Sequence, residues 1–200
     1  AAPTIKKVLA EGGTPVLMSH LGRPGGERVP KMSLSALVDE VEKAVGATVH
    51  FAEDCIGDVA AAEVAKAKAG EAVLLENLRY YKEETTGDKG FAEALAALGD
   101  IYLNDAFGTA HRAHASTAIV AQFFSTENKG FGDLMNAEVE SISKALGSDR
   151  DSTVAIIGGA KVSSKIGVIT NMIDNAGTVI IGGGMGFTFV KAMGGAIGTS

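Results

Sequence analysis

The sequence predicts an α/β fold, with doubly wound, Rossmann-like parallel sheets in two lobes, the second of them incomplete. Three observations carry that prediction. Short apolar runs bounded by glycine alternate with segments of 3.6-residue periodicity, the βαβα order that places helices on both faces of a parallel sheet. A polar, turn-rich region over residues 127–152 interrupts the alternation. It then restarts with only two strands, too few for a stable sheet of their own. The composition, 46% hydrophobic and 21% charged over 200 residues, suits a chain with a real core and excludes a disordered one.

The elements follow in order. Thr4–Ala10 reads as a helix, and Pro15–Ser19 as a buried strand. Ser33–Val45 reads as a helix with a serine start. Thr48–Phe51 is a short strand, Val59–Lys68 an alanine-rich helix and Ala72–Glu76 a strand. Phe91–Leu98 and Ile101–Asn104 give the next helix and strand. Glu127–Gly132 reads as turn, Asn136–Leu146 as an amphipathic helix and Gly147–Ser152 as a charged loop. Thr153–Ile157, Ser163–Ala176, Thr178–Ile181 and Met185–Met193 complete the pattern as strand, helix, strand, helix.

Charge and composition exclude several function classes. A net charge of −6, from 18 basic and 24 acidic residues, argues against a general binder of nucleic acid or membrane surfaces. It leaves room for a local anion site, because screening acts over about 8 Å. The apolar tract at 178–190 is broken by Gly182, Gly183, Gly184 and Gly186, and no stretch reaches the ~20 apolar residues of a membrane span. The lone Cys55 has no disulfide partner, which fits a reducing compartment. The 26 glycines lack an every-third-residue period and cluster at turns. The chain starts Ala1-Ala2-Pro3 and stops after a helix-like stretch, so an internal segment of a longer protein is expected.

Ligands of open α/β sheets bind beyond the carboxyl ends of the strands. Past the first strand stand His20, Leu21, Gly22 and Arg23; past the third, Arg79; past the fourth, His111, Arg112 and His114. Arginine forks match phosphate and carboxylate oxygens, and arginines gathered at one point repel unless an anion lies between them. A single arginine there ordinarily pairs with a carboxylate, and Glu76, Glu83 and Glu84 stand near Arg79 in sequence. The coincidence of three is what points to a phosphorylated ligand. In the second lobe a strand ends at Gly158-Gly159, followed by Ala160, Lys161, Ser164 and Lys165. Glycines before a helix start favour a phosphate, and the lysines, four apart, are expected on one helix face. The alternative is an ordinary solvated lysine pair. The Gly182-Gly183-Gly184 turn either admits a flat ring against bare backbone or serves tight helix–strand packing. Neither the Walker A pattern nor the dinucleotide fingerprint is present, which disfavours a nucleotide-dependent oxidoreductase.

Five motifs occur in an order that resembles the phosphoglycerate kinase family over the whole chain. They are Ser19-His20-Leu21-Gly22-Arg23-Pro24, Glu76-Asn77-Leu78-Arg79-Tyr80, the run from Asp105 to Arg112, Gly158-Gly159-Ala160-Lys161-Val162 and Gly182-Gly183-Gly184-Met185. The resemblance implies a glycolytic kinase that moves a phosphoryl group between 1,3-bisphosphoglycerate and ADP, giving 3-phosphoglycerate and ATP. It implies a phosphoglycerate domain over 1–130 without its first strand, an interdomain helix and linker over 131–150, and the start of a nucleotide domain over 151–200. His20, Leu21, Gly22, Arg23, Arg79 and Arg112 would bind the glycerate. Gly159, Ala160, Lys161, Ser164, Lys165, Gly182 and Gly183 would bind ATP or ADP, with Lys165 and Lys161 catalytic.

The resemblance also implies Mg2+ carried by the nucleotide, a hinge between the lobes, a monomer and a cytoplasmic setting, with no metal site on these residues. Ser164 stands where many members have Asp, and Gly25 where many have Lys. The family's opening strand and later glycine-rich loop are missing, so the 200 residues alone are expected to be inactive. The alternative reading is a phosphate-ligand binding module without catalysis.

Overall fold

Parallel strands organise the chain in a computed structural model that describes residues 1–147 and 149–199. The chain divides into two compact units, Ala1–Glu138 and the residues from Val139 onward.

In the first unit, helix α1 (Ala2–Ala10) carries Pro3 in its first turn, where the fixed φ of proline is suited. Strand β1 (Val16–Leu17) follows, then 3-10 turns over Pro30–Met32 and Leu34–Leu37 that lead into α2 (Val38–Val45). Gly46, at φ 75°, closes α2 in the left-handed region open to glycine. β2 (Val49–Ala52), α3 (Gly57–Lys66) and β3 (Ala72–Leu75) complete a parallel sheet of order β1-β3-β2.

All four residues of β3 are buried, which is why this strand reads as an uninterrupted apolar run. Its side chains alternate between two cores: Val73 and Leu75 meet Phe91, Leu95 and Tyr102, while Ala72 and Leu74 meet Leu34, Val45 and Val49. The register, Val16 to Val73 and Val49 to Ala72, brings the carboxyl ends of β1 and β3 to the same edge.

Helices α4 (Lys82–Thr86) and α5 (Lys89–Ala96) precede β4 (Tyr102–Asn104). The Asp88 side chain caps α5 by accepting from the Phe91 amide at 2.8 Å. A π turn (Ala115–Ile119) and a 3-10 turn (Val120–Phe123) lead to β5 (Lys129–Phe131), which pairs parallel with β4. Helix α6 (Asp133–Leu146) follows, and the boundary between the units falls inside it. In the second unit β6 (Val154–Gly158) and β7 (Thr178–Gly182) pair in parallel, with α7 (Ile166–Asn175) and α8 (Met185–Ala192) around a small core of Ile157, Ile169 and Met185. Among the described residues no helix is long and apolar enough to cross a membrane.

Some elements differ from expectation. The expected turn at 127–132 holds β5, because the Tyr102 amide donates to the Asn128 carbonyl at 2.9 Å and draws the segment into the ladder. The first strand is shorter than read: the Ser19 carbonyl leaves the ladder and accepts from the Leu78 amide at 3.1 Å. Ser148, in the expected 147–152 loop, lies outside the described residues.

Candidate functional site

One loop and two short turns carry the clustered arginines of the first unit. In the loop after β1, Gly22 adopts φ +68°, and a Cβ there would lie 2.9 Å from Met32 Sδ, so only glycine fits without strain. Its carbonyl accepts from Arg79 Nη1 at 3.0 Å. After β3, Glu76 and Asn77 are buried, and a 3-10 turn over Leu78–Tyr80 presents Arg79. Asn77 Oδ1 accepts from the Arg79 amide at 3.0 Å, while Nδ2 donates to the carbonyls of Leu21 and Met32, both at 2.8 Å. After β4, a 3-10 turn over Phe107–Thr109 leads to Arg112, whose amide donates to the Thr109 carbonyl at 2.9 Å.

These loops form a cleft of about 380 Å³ whose lining includes Arg23, Arg79, Arg112, Lys82, Thr85 and the Gly25–Gly26 backbone. Among the described residues no carboxylate lies within 4 Å of any of the three arginines. The three glutamates near Arg79 in sequence do not pair with it. Glu76 is occupied by the Ser33 hydroxyl at 2.6 Å and the Leu34 and Asn77 amides at 2.9 and 2.7 Å. Glu84 is occupied by the Ser116 hydroxyl and amide at 2.6 and 3.0 Å.

Arg79 Nε is the one buried side-chain nitrogen or oxygen that lacks a hydrogen-bond partner among the described residues. Such an orphaned donor in a basic cleft is what an anion would satisfy. Burial, and then the charges of Arg112 and Arg23, lower the Arg79 pKa against the opposing pull of Glu84. Burial first, followed by Arg79, His114 and Arg112, lowers that of His20. His114 is lowered in the same way, with Glu84 opposing from Oε1 at 3.7 Å. The field at the cleft is therefore positive and the imidazoles are biased toward neutral.

In the second unit the loops after β6 and β7 meet backbone to backbone. Gly183 has φ +66°, and a Cβ on it would lie 3.0 Å from the Gly159 carbonyl oxygen and 3.3 Å from the Gly159 nitrogen. The Met185 amide donates to that same carbonyl at 3.0 Å. Close packing thus accounts for Gly183. The aliphatic stem of Lys165 covers Gly159: a Cβ there would sit 3.2 Å from Lys165 Cε.

The two lysines do not share a helix face as their spacing predicts. Lys161 precedes a 3-10 turn over Val162–Ser164, Lys165 has φ −129°, and α7 begins only at Ile166. The Ser164 hydroxyl, donating to the Lys161 carbonyl at 2.9 Å, and the Lys165 amide, donating to Val162 at 2.8 Å, tighten this turn. Gly159, Lys165 and Gly183 come together, and a Cβ on Gly184 would lie 3.5 Å from Ala160 Cα. Among the described residues neither lysine amine has a carboxylate partner.

Asn77 and Glu84 are the residues that the order of strands does not pick out. The signal for Asn77 is its place between the buried run of β3 and Leu78, where a polar side chain must find its partners inside the protein. Glu84 carries no comparable signal.

Comparison with known proteins agrees with the fold. The family model for phosphoglycerate kinase matches residues 1–200. The phosphoglycerate kinase of Moorella thermoacetica is 49% identical over 200 residues, which is 100% of this chain and 50% of that protein. That of Chloroherpeton thalassium is 47% identical with the same coverage. The solved phosphoglycerate kinase of Coxiella burnetii superposes with a TM-score of 0.85 at 37% identity, covering 100% of this chain and 49% of that one. The chain spans about half the length of the curated relatives it matches.

Proposed function

The chain belongs to the phosphoglycerate kinase family, and from that premise we propose that the whole protein transfers a phosphoryl group between 1,3-bisphosphoglycerate and ADP, giving 3-phosphoglycerate and ATP. The first unit binds the glycerate through His20, the Leu21–Gly22 backbone, Arg23, Arg79 and Arg112. The second binds the nucleotide through Gly159, Ala160, Lys161, Ser164, Lys165, Gly182 and Gly183. The setting proposed is a cytoplasmic monomer. The observation that carries the reading is the uncompensated arginine cluster, with its orphaned Arg79 Nε.

In the reaction, an oxygen of the ADP β-phosphate attacks the acyl phosphorus, the bond from phosphorus to the carboxyl oxygen breaks, and the carboxylate leaves with its electron pair. No general base is required of the protein, because positioning and charge cancellation supply most of the catalysis. Arg23, Arg79 and Arg112 hold the non-transferring phosphate, each charged hydrogen bond contributing roughly 1.5–3 kcal/mol. Burial and the neighbouring arginines bias His20 toward its neutral form when the site is empty, and a bound anion relieves that bias. Lys165 and Lys161 offset charge on the phosphates in transit. Mg2+ enters with the nucleotide as part of that substrate and draws charge off its phosphate oxygens.

Calorimetric titration of 3-phosphoglycerate at low salt tests the reading. Saturable heat is expected from the chain, and Arg112→Ala weakens the affinity about 10- to 100-fold. Equal isotherms from the two proteins would overturn the cluster as the ligand site. ATP formation by the whole protein, and its loss in Lys165→Ala, tests the transfer step and separates a kinase from a binding module.

A further inference from the structure

The geometry points to Asn77 as a positioning residue for the anion site, a neutral tether that holds the His20–Arg23 loop against Arg79 without cancelling the positive charge a phosphate meets. The inference rests on the ligand reading above and deepens it.

Asn77 is fully buried, and every hydrogen-bonding group of its side chain that could face a partner is engaged. One side chain therefore fixes three segments of the site. Its two amide hydrogens reach the Leu21 carbonyl, adjacent to His20, and the Met32 carbonyl, whose side chain packs beneath Gly22. Its oxygen takes the amide of Arg79 itself. The guanidinium of Arg79 then adds its own bond to the Gly22 carbonyl at 3.0 Å.

The cluster needs such a tether. The charges of Arg112 and Arg23 both act unfavourably on Arg79, and among the described residues no carboxylate lies within 4 Å of the arginines to draw them together. Like charges gathered in one cleft repel, which drives the loops apart in the empty site. A carboxylate at position 77 would accept from Arg79 but would meet the Leu21 and Met32 carbonyls with oxygen against oxygen. It would also bring a buried negative charge to the place where the phosphate is to be attracted. An amide supplies two donors and an acceptor with no net charge. Of side chains this size, only asparagine meets all three demands.

The test is calorimetric titration of 3-phosphoglycerate into the chain, Asn77→Asp, Asn77→Ser and a control, Leu95→Ala, which removes volume from the core beside β3 and leaves the hydrogen bonds of Asn77 in place. A positioning role and a structural one separate within each isotherm. Loss of folded protein lowers the binding stoichiometry and leaves the Kd of the remaining molecules alone, whereas displaced loops raise Kd at full stoichiometry. Asn77→Asp is expected to raise Kd at least tenfold and Asn77→Ser several-fold, both near full stoichiometry, with Leu95→Ala keeping the parent Kd. Should Asn77→Asp melt below the measuring temperature, Asn77→Ser decides by the same criterion. An unchanged Kd in the position-77 variants, or an equal rise in Leu95→Ala, overturns the inference alone. No saturable heat from the parent chain overturns the ligand reading, and this inference with it.

Discussion

The hydroxyl of Thr4 donates to Asp105 Oδ2 at 2.8 Å and also accepts from the Asp133 amide at 2.9 Å, so one side chain of α1 joins the end of β4 to the start of α6. Asp105 Oδ1 takes a second α6 amide, that of Met135, at 3.1 Å. Two orphan donors of the α6 N-terminus are thus satisfied from elsewhere in the sequence, and a carboxylate at that end also complements the helix dipole.

Removing the hydroxyl strands groups on both sides of it. Thr4→Val keeps the shape, leaves the Asp133 amide without its partner and costs about 1–3 kcal/mol in urea unfolding. A cycle with Asp105→Asn is expected to show non-additive losses, because the two residues share one network. Additive losses would mean that the contacts act separately.

The same carboxylate sets an acid limit. Burial alone would raise the Asp105 pKa, but the Met135 amide and the Thr4 hydroxyl outweigh it and hold the group below 3.8. A carboxyl whose pKa falls on folding stabilises the protein fully above its unfolded value and loses that contribution as pH drops through the folded one. Asp105→Asn is therefore expected to flatten the stability-versus-pH curve below about pH 4. A curve parallel to the parent's would exclude Asp105 from the acid transition.

His20 gives a pH signature of the arginine charges, although it is not among the residues that line the cleft. Burial, then the charges of Arg79, His114 and Arg112, place its pKa below 6.5 in the empty site. The unfolded chain then takes up a proton that the folded one refuses, so His20 makes the empty protein less stable as pH falls below 6.5. By NMR, the His20 ring is expected to titrate below 6.5, and its midpoint to rise in Arg79→Ala and, on the proposed ligand reading, on addition of 3-phosphoglycerate. A midpoint indifferent to both changes would mean that the arginine charges do not reach the ring.

Which of these features were legible in the sequence depends on how far away each residue's partners lie. β3 is readable because burial on both faces leaves an unbroken apolar run, and Arg79 is then found by stepping past its end. Helix α4, with the sequence Lys-Glu-Glu-Thr-Thr, has no apolar stripe to announce it. It is pinned by Glu84, whose partner Ser116 lies 32 residues on. Asn77 bonds Leu21 at a separation of 56 residues, which no local pattern encodes. The lysine spacing misleads for a related reason: a four-residue interval implies a shared face only inside an α-helix, and Ser164 turns that segment into a 3-10 turn instead.

Cys55 reports on the first core. Its side chain is fully buried, and burial, then the neighbouring Asp54 charge, pushes the thiol up to about 12. The thiolate is the reactive form, so iodoacetamide at about pH 8 is expected to leave the folded chain unlabelled and to label it quantitatively in urea. Labelling under native conditions at the rate of a free thiol would show that this core opens readily.

Gly183 and Gly182 are neighbours with opposite demands. A methyl on Gly182 would come no nearer than 4.0 Å to the Ile157 carbonyl oxygen, an ordinary contact. On Gly183 it would be forced to φ +66° and set 3.0 Å from the Gly159 carbonyl oxygen, which is itself held by the Met185 amide. The left-handed conformation alone costs a side chain roughly 1–2 kcal/mol, and the backbone contact adds to that because neither loop can yield without breaking the bond to Met185. Gly183→Ala is therefore expected to destabilise the second unit, while Gly182→Ala leaves the unfolding midpoint near that of the parent. If the two variants lose equal stability, the close approach of the β6 and β7 loops is not what requires glycine at 183.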